Sequence, residues 1–291
     1  MAEHKCFEDH SRKLWSFLFS ERNTRMPSKY NKEQHLKMSQ AAWDEGHRFL
    51  AAKRRKNPNW GDEFSDGGTV FSDTETELLG DVSGLDVLQV SCGGDASQAF
   101  SLANMGAKVT ACDFSPVAIE EAKENAAKVG LEVRFVIDDS QRLANFKEGQ
   151  FDLVHVDGNL WYYEDLPTAC HNWCRVLRTG GRLFLHENYP LTHWCLEEDG
   201  TNGNLRITQT YGDRTPGYSL FRIQDFVSEE REEVEFPHTL ADILNAIMQA
   251  GFVMEKMVEC NIAQANFVIK KLGESAGKLP HDFYVIARKV G

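Results

Sequence analysis

The sequence predicts an α/β fold with a mostly parallel sheet, and three observations predict it. A short apolar run, Leu85 to Val90, ends in the small-residue turn Ser91-Cys92-Gly93-Gly94-Asp95 and gives way to a helical pattern at Ala99, Phe100, Leu102 and Ala103. A second apolar run, Ala107 to Cys112, closes on Asp113, twenty residues after Gly93. A third, Val133 to Ile137, closes on Asp138-Asp139-Ser140. Strand, glycine turn, helix, strand and acid make a βαβ unit of the kind that holds a nucleoside.

Each part has a physical reason. Glycines at Gly93 and Gly94 allow a positive φ and let backbone N–H groups approach a ligand with no Cβ in the way. The helix that follows aims its free N–H donors at the same spot. Asp113 can accept two hydrogen bonds from a diol, at about the spacing where such folds place a carboxylate on ribose hydroxyls. Asp138 and Asp139 put a further acid beside the nucleoside.

Taken in order, residues 1–84 precede this unit. Leu14, Trp15, Phe17, Leu18 and Phe19 predict a short helix, and a longer one runs from about Lys32 to Lys53 with Leu36, Ala42, Trp43, Phe49 and Leu50 on one face. Lys53-Arg54-Arg55-Lys56 suits its C-terminal dipole, and Pro58 ends it. After the third strand, a helical segment near Ser140 to Phe146 leads to a fourth strand, Phe151 to Val156. That strand ends in Asp157-Gly158-Asn159, followed by Leu160-Trp161-Tyr162-Tyr163. A helix from Asp165 to Leu177 is then terminated by Thr179-Gly180-Gly181 as by a left-handed cap. The fifth strand, Arg182 to Leu185, ends in His186-Glu187-Asn188-Tyr189-Pro190. Alternation of period two in Leu205–Tyr211 and Tyr218–Ile223, across the 212–217 turn, predicts an antiparallel insertion at about 191–237 that caps the sheet's active edge. The acidic run Glu229 to Glu235 reads as a solvated edge. Thr239 and Asp242 form a capping box for a helix to Ala250, and Phe252–Val258 and Phe283–Ala287 are the last strands.

The stretch Gly106-Ala107-Lys108-Val109-Thr110-Ala111-Cys112-Asp113-Phe114-Ser115, with Phe151-Asp152-Leu153-Val154 and Val176-Leu177-Arg178-Thr179-Gly180-Gly181-Arg182-Leu183, resembles class I S-adenosylmethionine-dependent methyltransferases of the small-molecule type. The resemblance runs from roughly Asp44 to the C-terminus and is most specific between Leu85 and Glu187. It implies a Rossmann-like seven-stranded sheet of order 3-2-1-4-5-7-6 with the last strand antiparallel. Residues 1–84 would then be a helical lid or pocket wall, and 85–291 the methyltransferase domain. It also implies S-adenosylmethionine as cofactor, with S-adenosylhomocysteine as product, bound by Ser91, Cys92, Gly93, Gly94, Asp113, Phe114, Asp138, Asp139, Ser140 and Asp157. One departure stands out: the family's acid-x-Gly-x-Gly-x-Gly turn is represented here by Gln89, Ser91, Gly93 and Asp95.

The expected chemistry is methyl transfer to a small molecule by direct in-line displacement, in which the protein mainly aligns the reactants. Ligands of open sheets lie beyond the carboxyl ends of the strands, which places Asp157, Asn159, Trp161 and Tyr162 where donor and acceptor meet. Trp43, Trp161, Tyr162, Tyr189 and His238 are the expected acceptor contacts. Glu187 is the expected base or orienting acid, with His186 beside it on the opposite face of the strand. Two other classes fit less well: a silent nucleoside-binding regulator, fed by the altered turn, and a nicotinamide-dependent oxidoreductase, which lacks its G-x-G-x-x-G. The net charge of −12 argues against nucleic acid or an anionic membrane as partner. No apolar run suits a membrane span or a secretory signal, and the seven cysteines are scattered without CxxC. A cytoplasmic monomer or homodimer with reduced thiols is expected, with no metal; Cys170 and Cys174, one helical turn apart, read as buried helix cysteines.

Overall fold

The computed structural model describes residues 30–198, 204–261 and 277–291. The expected helix at Leu14–Phe19 lies outside them. Helix α1 (Lys32–Arg54) is followed by two short helices, α2 (Asp62–Ser65) and α3 (Asp73–Leu79), the latter opened by a Ser72/Glu75 capping box. Then comes the nucleoside unit: β1 (Asp86–Val90), α4 (Ser97–Asn104), β2 (Lys108–Asp113), α5 (Pro116–Val129) and β3 (Arg134–Ile137). Strand β4 (Phe151–Asp157), helix α6 (Leu166–Val176) and strand β5 (Leu177–Asn188) continue the pattern. After the short strands β6 (Leu196–Glu198) and β7 (Leu205–Ile207) come β8 (Gly217–Ile223) and β9 (Phe226–Glu235). Helix α7 (Leu240–Gln249) and strands β10 (Phe252–Cys260) and β11 (Asp282–Lys289) close the chain.

One seven-stranded sheet runs β10-β11-β5-β4-β1-β2-β3, which is the expected order with β11 and β10 as the last two strands. The pairs β1–β2, β1–β4, β2–β3 and β4–β5 are parallel, and β11 is antiparallel to both neighbours. Neighbouring residues feed opposite faces. Val87 and Leu153 enter one apolar cluster with Phe100, Ile119 and Phe184, while Leu88 and Val154 enter the other with Trp173, Ile243 and Phe283. A sheet covered on both faces explains why β1 and β4 carry apolar residues at adjacent positions, Val87-Leu88 and Leu153-Val154. Cys170 and Cys174 pack in the second cluster, and burial pushes both thiols up.

Three local expectations are corrected. Residues 140–146 form turns rather than a helix, because the buried Asp138 carboxylate accepts N–H groups of Asp139, Ala144 and Asn145 and holds the chain in a tight loop. Thr179-Gly180-Gly181 does not cap a helix: α6 ends at Val176, and β5 already begins at Leu177. Gly180, at φ 81°, lies instead in a bulge, where the pairing jumps from Phe151↔Leu177 to Leu153↔Arg182. The insertion also pairs differently. Leu205–Ile207 joins β6, whereas β8 turns forward through Gln224-Asp225, with Gln224 at φ 56°, and pairs with the acidic run of β9. A two-residue turn with positive φ closes a hairpin more readily than the longer 212–217 segment.

The β8–β9 hairpin packs on α1. Phe49 stacks on Phe226 at 4.8 Å and Trp43 meets Phe221 edge-on at 5.2 Å. Gly46 permits the approach, since a Cβ there would lie 2.6 Å from the Phe221 ring. Ser228 Oγ donates to Glu45 and Lys53 to Asp225, so α1 is held from behind. None of the described helices is long and apolar enough to cross a membrane.

Candidate functional site

A cavity of about 320 Å³ opens beyond the carboxyl ends of the parallel strands, with α1 on its far side. Four successive strand ends line it: Ser91 and Gly93 after β1, Asp113 and Phe114 after β2, Asp139 and Ser140 after β3, and Asp157 to Asn159 after β4. Gly93 is left-handed at φ 63°, and its N–H donates to Asp113 Oδ2 at 3.0 Å, while the Ser115 N–H donates to Oδ1 at 2.9 Å. Burial outweighs these two donors and pushes the Asp113 carboxyl up to about 6. Ser140 Oγ shares hydrogen bonds with Ser91 Oγ at 2.9 Å and with the Tyr163 hydroxyl at 2.8 Å, which ties the β1 and β3 ends together.

Gly94 serves differently from the expectation. Its φ is not positive; a Cβ there would lie 2.2 Å from Glu121 Oε2, whose carboxylate is paired with Arg54 at 2.8 Å. The second glycine therefore makes room for an ion pair between α1 and α5. Cys92 and Asp138 also stand off the cavity: Cys92 is buried in an apolar cluster, and Asp138 braces the loop after β3.

Helix α1 contributes His35, Ser39, Trp43 and His47, a stripe at four-residue spacing along one face. Gln40 Nε2 donates to the Phe114 carbonyl at 2.6 Å and Ser115 Oγ to Asp44, fastening the helix to the β2 end. His35 bonds Glu164 at 2.8 Å and the Tyr218 hydroxyl at 3.0 Å. Trp43 lies 5.5 Å from the rings of both His47 and Tyr162, edge-on to the latter. His47 is 4% exposed; burial first, and then the Arg54 charge, lower its pKa to about 4, so the ring is neutral.

Asp157 is fixed from two sides. His186 Nδ1 lies 2.6 Å from its Oδ1, and Gln98 Nε2 donates to its Oδ2 at 2.6 Å. Although burial opposes it, the hydrogen bond and charge of Asp157 raise His186 to about 9, and Asp157 is lowered in turn. His186 is thus a protonated partner behind Asp157 and does not itself line the cavity.

Glu187 is not in the cavity either, which corrects its expected position. It is 0% exposed, and its carboxylate accepts N–H groups from Leu160 at 2.8 Å and from Asn188 at 2.7 Å and 3.0 Å. The acid is consumed in holding the 3₁₀ turn Leu160–Tyr162, and burial pushes it up to about 7. Of the expected acceptor contacts, Trp43 and Tyr162 line the cavity and Trp161, Tyr189 and His238 do not. Trp161 stacks on His193 at 4.8 Å, Tyr189 packs edge-on to Phe283, and His238 bonds the Tyr163 carbonyl at 2.8 Å. The residues that sequence reasoning missed are mainly His35, Ser39, His47, Gln141, Tyr163 and Glu164. For the first three, the four-residue spacing was a readable signal.

Residues 88–185 match the family described as "Methyltransferase domain". A ubiquinone biosynthesis O-methyltransferase of Xanthomonas oryzae pv. oryzae is 36% identical over 106 residues, 36% of this chain and 44% of that protein, so the match spans less than half its length. The uncharacterized methyltransferase YbaJ of Bacillus subtilis is 26% identical over 230 residues, 75% of this chain and 88% of that protein. A putative S-adenosylmethionine-dependent methyltransferase from Listeria monocytogenes superposes with a TM-score of 0.57 at 16% identity, over 74% of this chain and 96% of the other. That likeness is one of fold.

Proposed function

We propose that this chain, whose core is a class I methyltransferase domain, binds S-adenosylmethionine in the strand-end cavity and methylates a small-molecule acceptor. The observation that carries the reading is the convergence of four strand ends, bearing Gly93, Asp113, Asp139 and Asp157, on one cavity closed by α1.

The residues present fit the cofactor. The left-handed Gly93 leaves an approach free of any Cβ, and each Asp113 oxygen, after one backbone donor, keeps acceptor capacity for a ribose hydroxyl. Asp139 stands at the next strand end for the nucleoside's other edge. When bound, the cofactor supplies an activated methyl group on a sulfonium sulfur, which an acceptor takes by direct in-line displacement.

The protein's own contribution is alignment and exclusion of water. Tyr163, Ser140 and Ser91 lock the strand ends; Gln40 and Asp44 hold α1 over them. His186 and Gln98 fix Asp157 in a single orientation, with His186 acting as a positioning residue. The cavity, near the lower end of the roughly 300–1,000 Å³ typical of ligand pockets, favours a compact acceptor. The likeness to O-methyltransferases of ubiquinone biosynthesis supports a small-molecule acceptor as well.

Calorimetry with S-adenosylmethionine, S-adenosylhomocysteine and NAD tests the cofactor, and a metabolite extract with labelled methyl donor tests the transfer. Binding of the first two and labelling of a small molecule are expected. Preference for NAD would overturn the cofactor assignment. Binding without any labelled product would favour a silent nucleoside-binding protein.

A further inference from the structure

Two buried polar side chains lining the cavity carry atoms with no hydrogen-bond partner among the described residues. Asn159 is 6% exposed, and neither its Oδ1 nor its Nδ2 has a hydrogen-bond partner among the described residues. His47 is 4% exposed with Nδ1 in the same condition. Orphaned buried polar atoms are uncommon, and each costs the desolvation of its group. Both residues line the same cavity; their orphaned atoms are covered in the empty fold, and a side-chain rotation that bares them lets a ligand repay that cost.

Their place in the fold separates them from the nucleoside. Strands β2 and β3, which bear Asp113 and Asp139, lie to one side of β1; β4, which carries Asn159 just past its end, lies to the other. His47 borders the β1 turn, its Cε1 3.7 Å from where a Gly93 Cβ would stand. Apart from Asp113, which has two backbone donors but no cation and is assigned above to the nucleoside, the charged groups around the cavity have side-chain partners. Asp157 meets His186 at 2.6 Å, Asp165 meets Lys32 at 2.7 Å and Asp139 meets Arg142 at 3.4 Å, and Glu164 is hydrogen-bonded to the His35 ring at 2.8 Å. Away from Asp113, the open hydrogen-bonding capacity is neutral: one carbonyl oxygen, one NH₂ and one uncharged imidazole nitrogen. Trp43 and Tyr162 offer aromatic surface beside it.

We propose that Asn159 and His47 form the acceptor subsite, and that the acceptor presents an uncharged hydroxyl or amide on a flat apolar body. This rests on the methyl-transfer reading for the word acceptor, and on the two orphaned side chains for the chemistry. At Asn159 and His47 a carboxylate or ammonium would leave water without gaining a counter-charge, a costly exchange. A hydroxyl exchanges its water for the amide and the imidazole at little cost.

Three single-ring probes test it: phenol, benzoate and benzylamine, titrated into protein saturated with S-adenosylhomocysteine and followed by ligand-observed NMR and calorimetry. Phenol is expected to bind best. Asn159→Leu, close in shape, should weaken phenol about tenfold or more by removing its two bonds, with His47→Phe weakening it less. Asn159→Leu should leave S-adenosylhomocysteine affinity unchanged and melt at or above wild type, since it deletes an unsatisfied amide. A lower melting temperature would show the amide to be satisfied within the protein and would overturn the proposal. Preference for either charged probe, phenol binding indifferent to Asn159→Leu, or a parallel loss of S-adenosylhomocysteine would overturn it too. If wild type binds S-adenosylhomocysteine but none of the probes in the millimolar range, the subsite fails and the methyl-transfer reading stands. If it binds phenol in the expected order but no S-adenosylhomocysteine, the subsite stands and the methyl-transfer reading fails.

Discussion

Asp113→Asn is the sharpest test of the cofactor cradle, because it keeps the shape and alters the acceptors. In the wild type Oδ2 accepts from Gly93 and Oδ1 from Ser115, each leaving a lone pair for one ribose hydroxyl. Asparagine turns one oxygen into an NH₂ that faces a backbone donor, so at least one charge-assisted bond to the diol is lost. At about 1.5–3 kcal/mol for such a bond, S-adenosylhomocysteine affinity should fall roughly 10- to 150-fold. The pH dependence gives a second signature. With the carboxyl at about 6, only about a tenth is ionised at pH 5, so wild-type binding should weaken about tenfold between pH 7 and 5 while the variant stays flat. Folding responds in the opposite sense. A carboxyl raised from 3.8 to about 6 stabilises the fold fully below pH 3.8 and loses that contribution as pH rises through 6. Calorimetric titrations at pH 5, 6 and 7, with melting curves to show that the variant is folded, decide the matter. Wild-type affinity in the variant, or a flat profile in the wild type, would refute the ribose assignment.

Three further outcomes are expected. Gly93→Val should abolish S-adenosylhomocysteine binding, because φ is 63° and its Cβ would sit 3.2 Å from Asp95 Oδ1; normal binding would remove the turn from the site. Glu187→Gln should lower unfolding stability by about 1–3 kcal/mol, since its NH₂ must confront a buried N–H donor; a lost rate with unchanged denaturant midpoint would return Glu187 to catalysis. His155→Phe should be near neutral at pH 7.5 and stabilising in acid. His155 is 0% exposed, stacks on Phe184 at 4.9 Å, and burial lowers it from 6.5 to about 4. Its contribution is present above pH 6.5 and lost as pH falls toward 4, about 2 kcal/mol by pH 5, so chemical unfolding of both proteins at pH 5 and 7.5 measures it. Equal acid sensitivity in the two would show that His155 is not held neutral.

The half of the cavity proposed for the cofactor was legible because its signals are local. A strand, a glycine turn and an acid at the next strand end follow one another within the stretch Leu85 to Asp139, and the sheet rule says which ends face the ligand. Asp113, Gly93, Asp139, Ser140 and Asp157 were placed by that rule, and all five line the cavity. Where the same local reading failed, a tertiary partner explains it. Gly94 answers to the Arg54–Glu121 pair, and Glu187 to the turn carried by Leu160. A strand-end acid looks like a site acid in sequence; only the folded register, which pairs Glu187 with Phe283 on β11 and buries it, shows it to be structural.

The half proposed for the acceptor was hidden for a different physical reason. Apolar periodicity on α1 selected Leu36, Ala42, Trp43, Phe49 and Leu50, the residues that lower free energy by leaving water. The stripe that faces the cavity, His35, Ser39, Trp43 and His47, is mostly polar yet buried, so the same criterion passes over it. A polar residue under cover raises the free energy of the empty fold unless something bonds to it. His35 finds Glu164 and Tyr218 within the chain, whereas His47 Nδ1 finds no partner among the described residues. Between two histidines on one helix face, identical in sequence terms, the difference lies in what the β8–β9 hairpin and the loop after β4 bring to each. A site of this kind is written in the mismatch between burial and partners, and that mismatch exists only once the chain has folded.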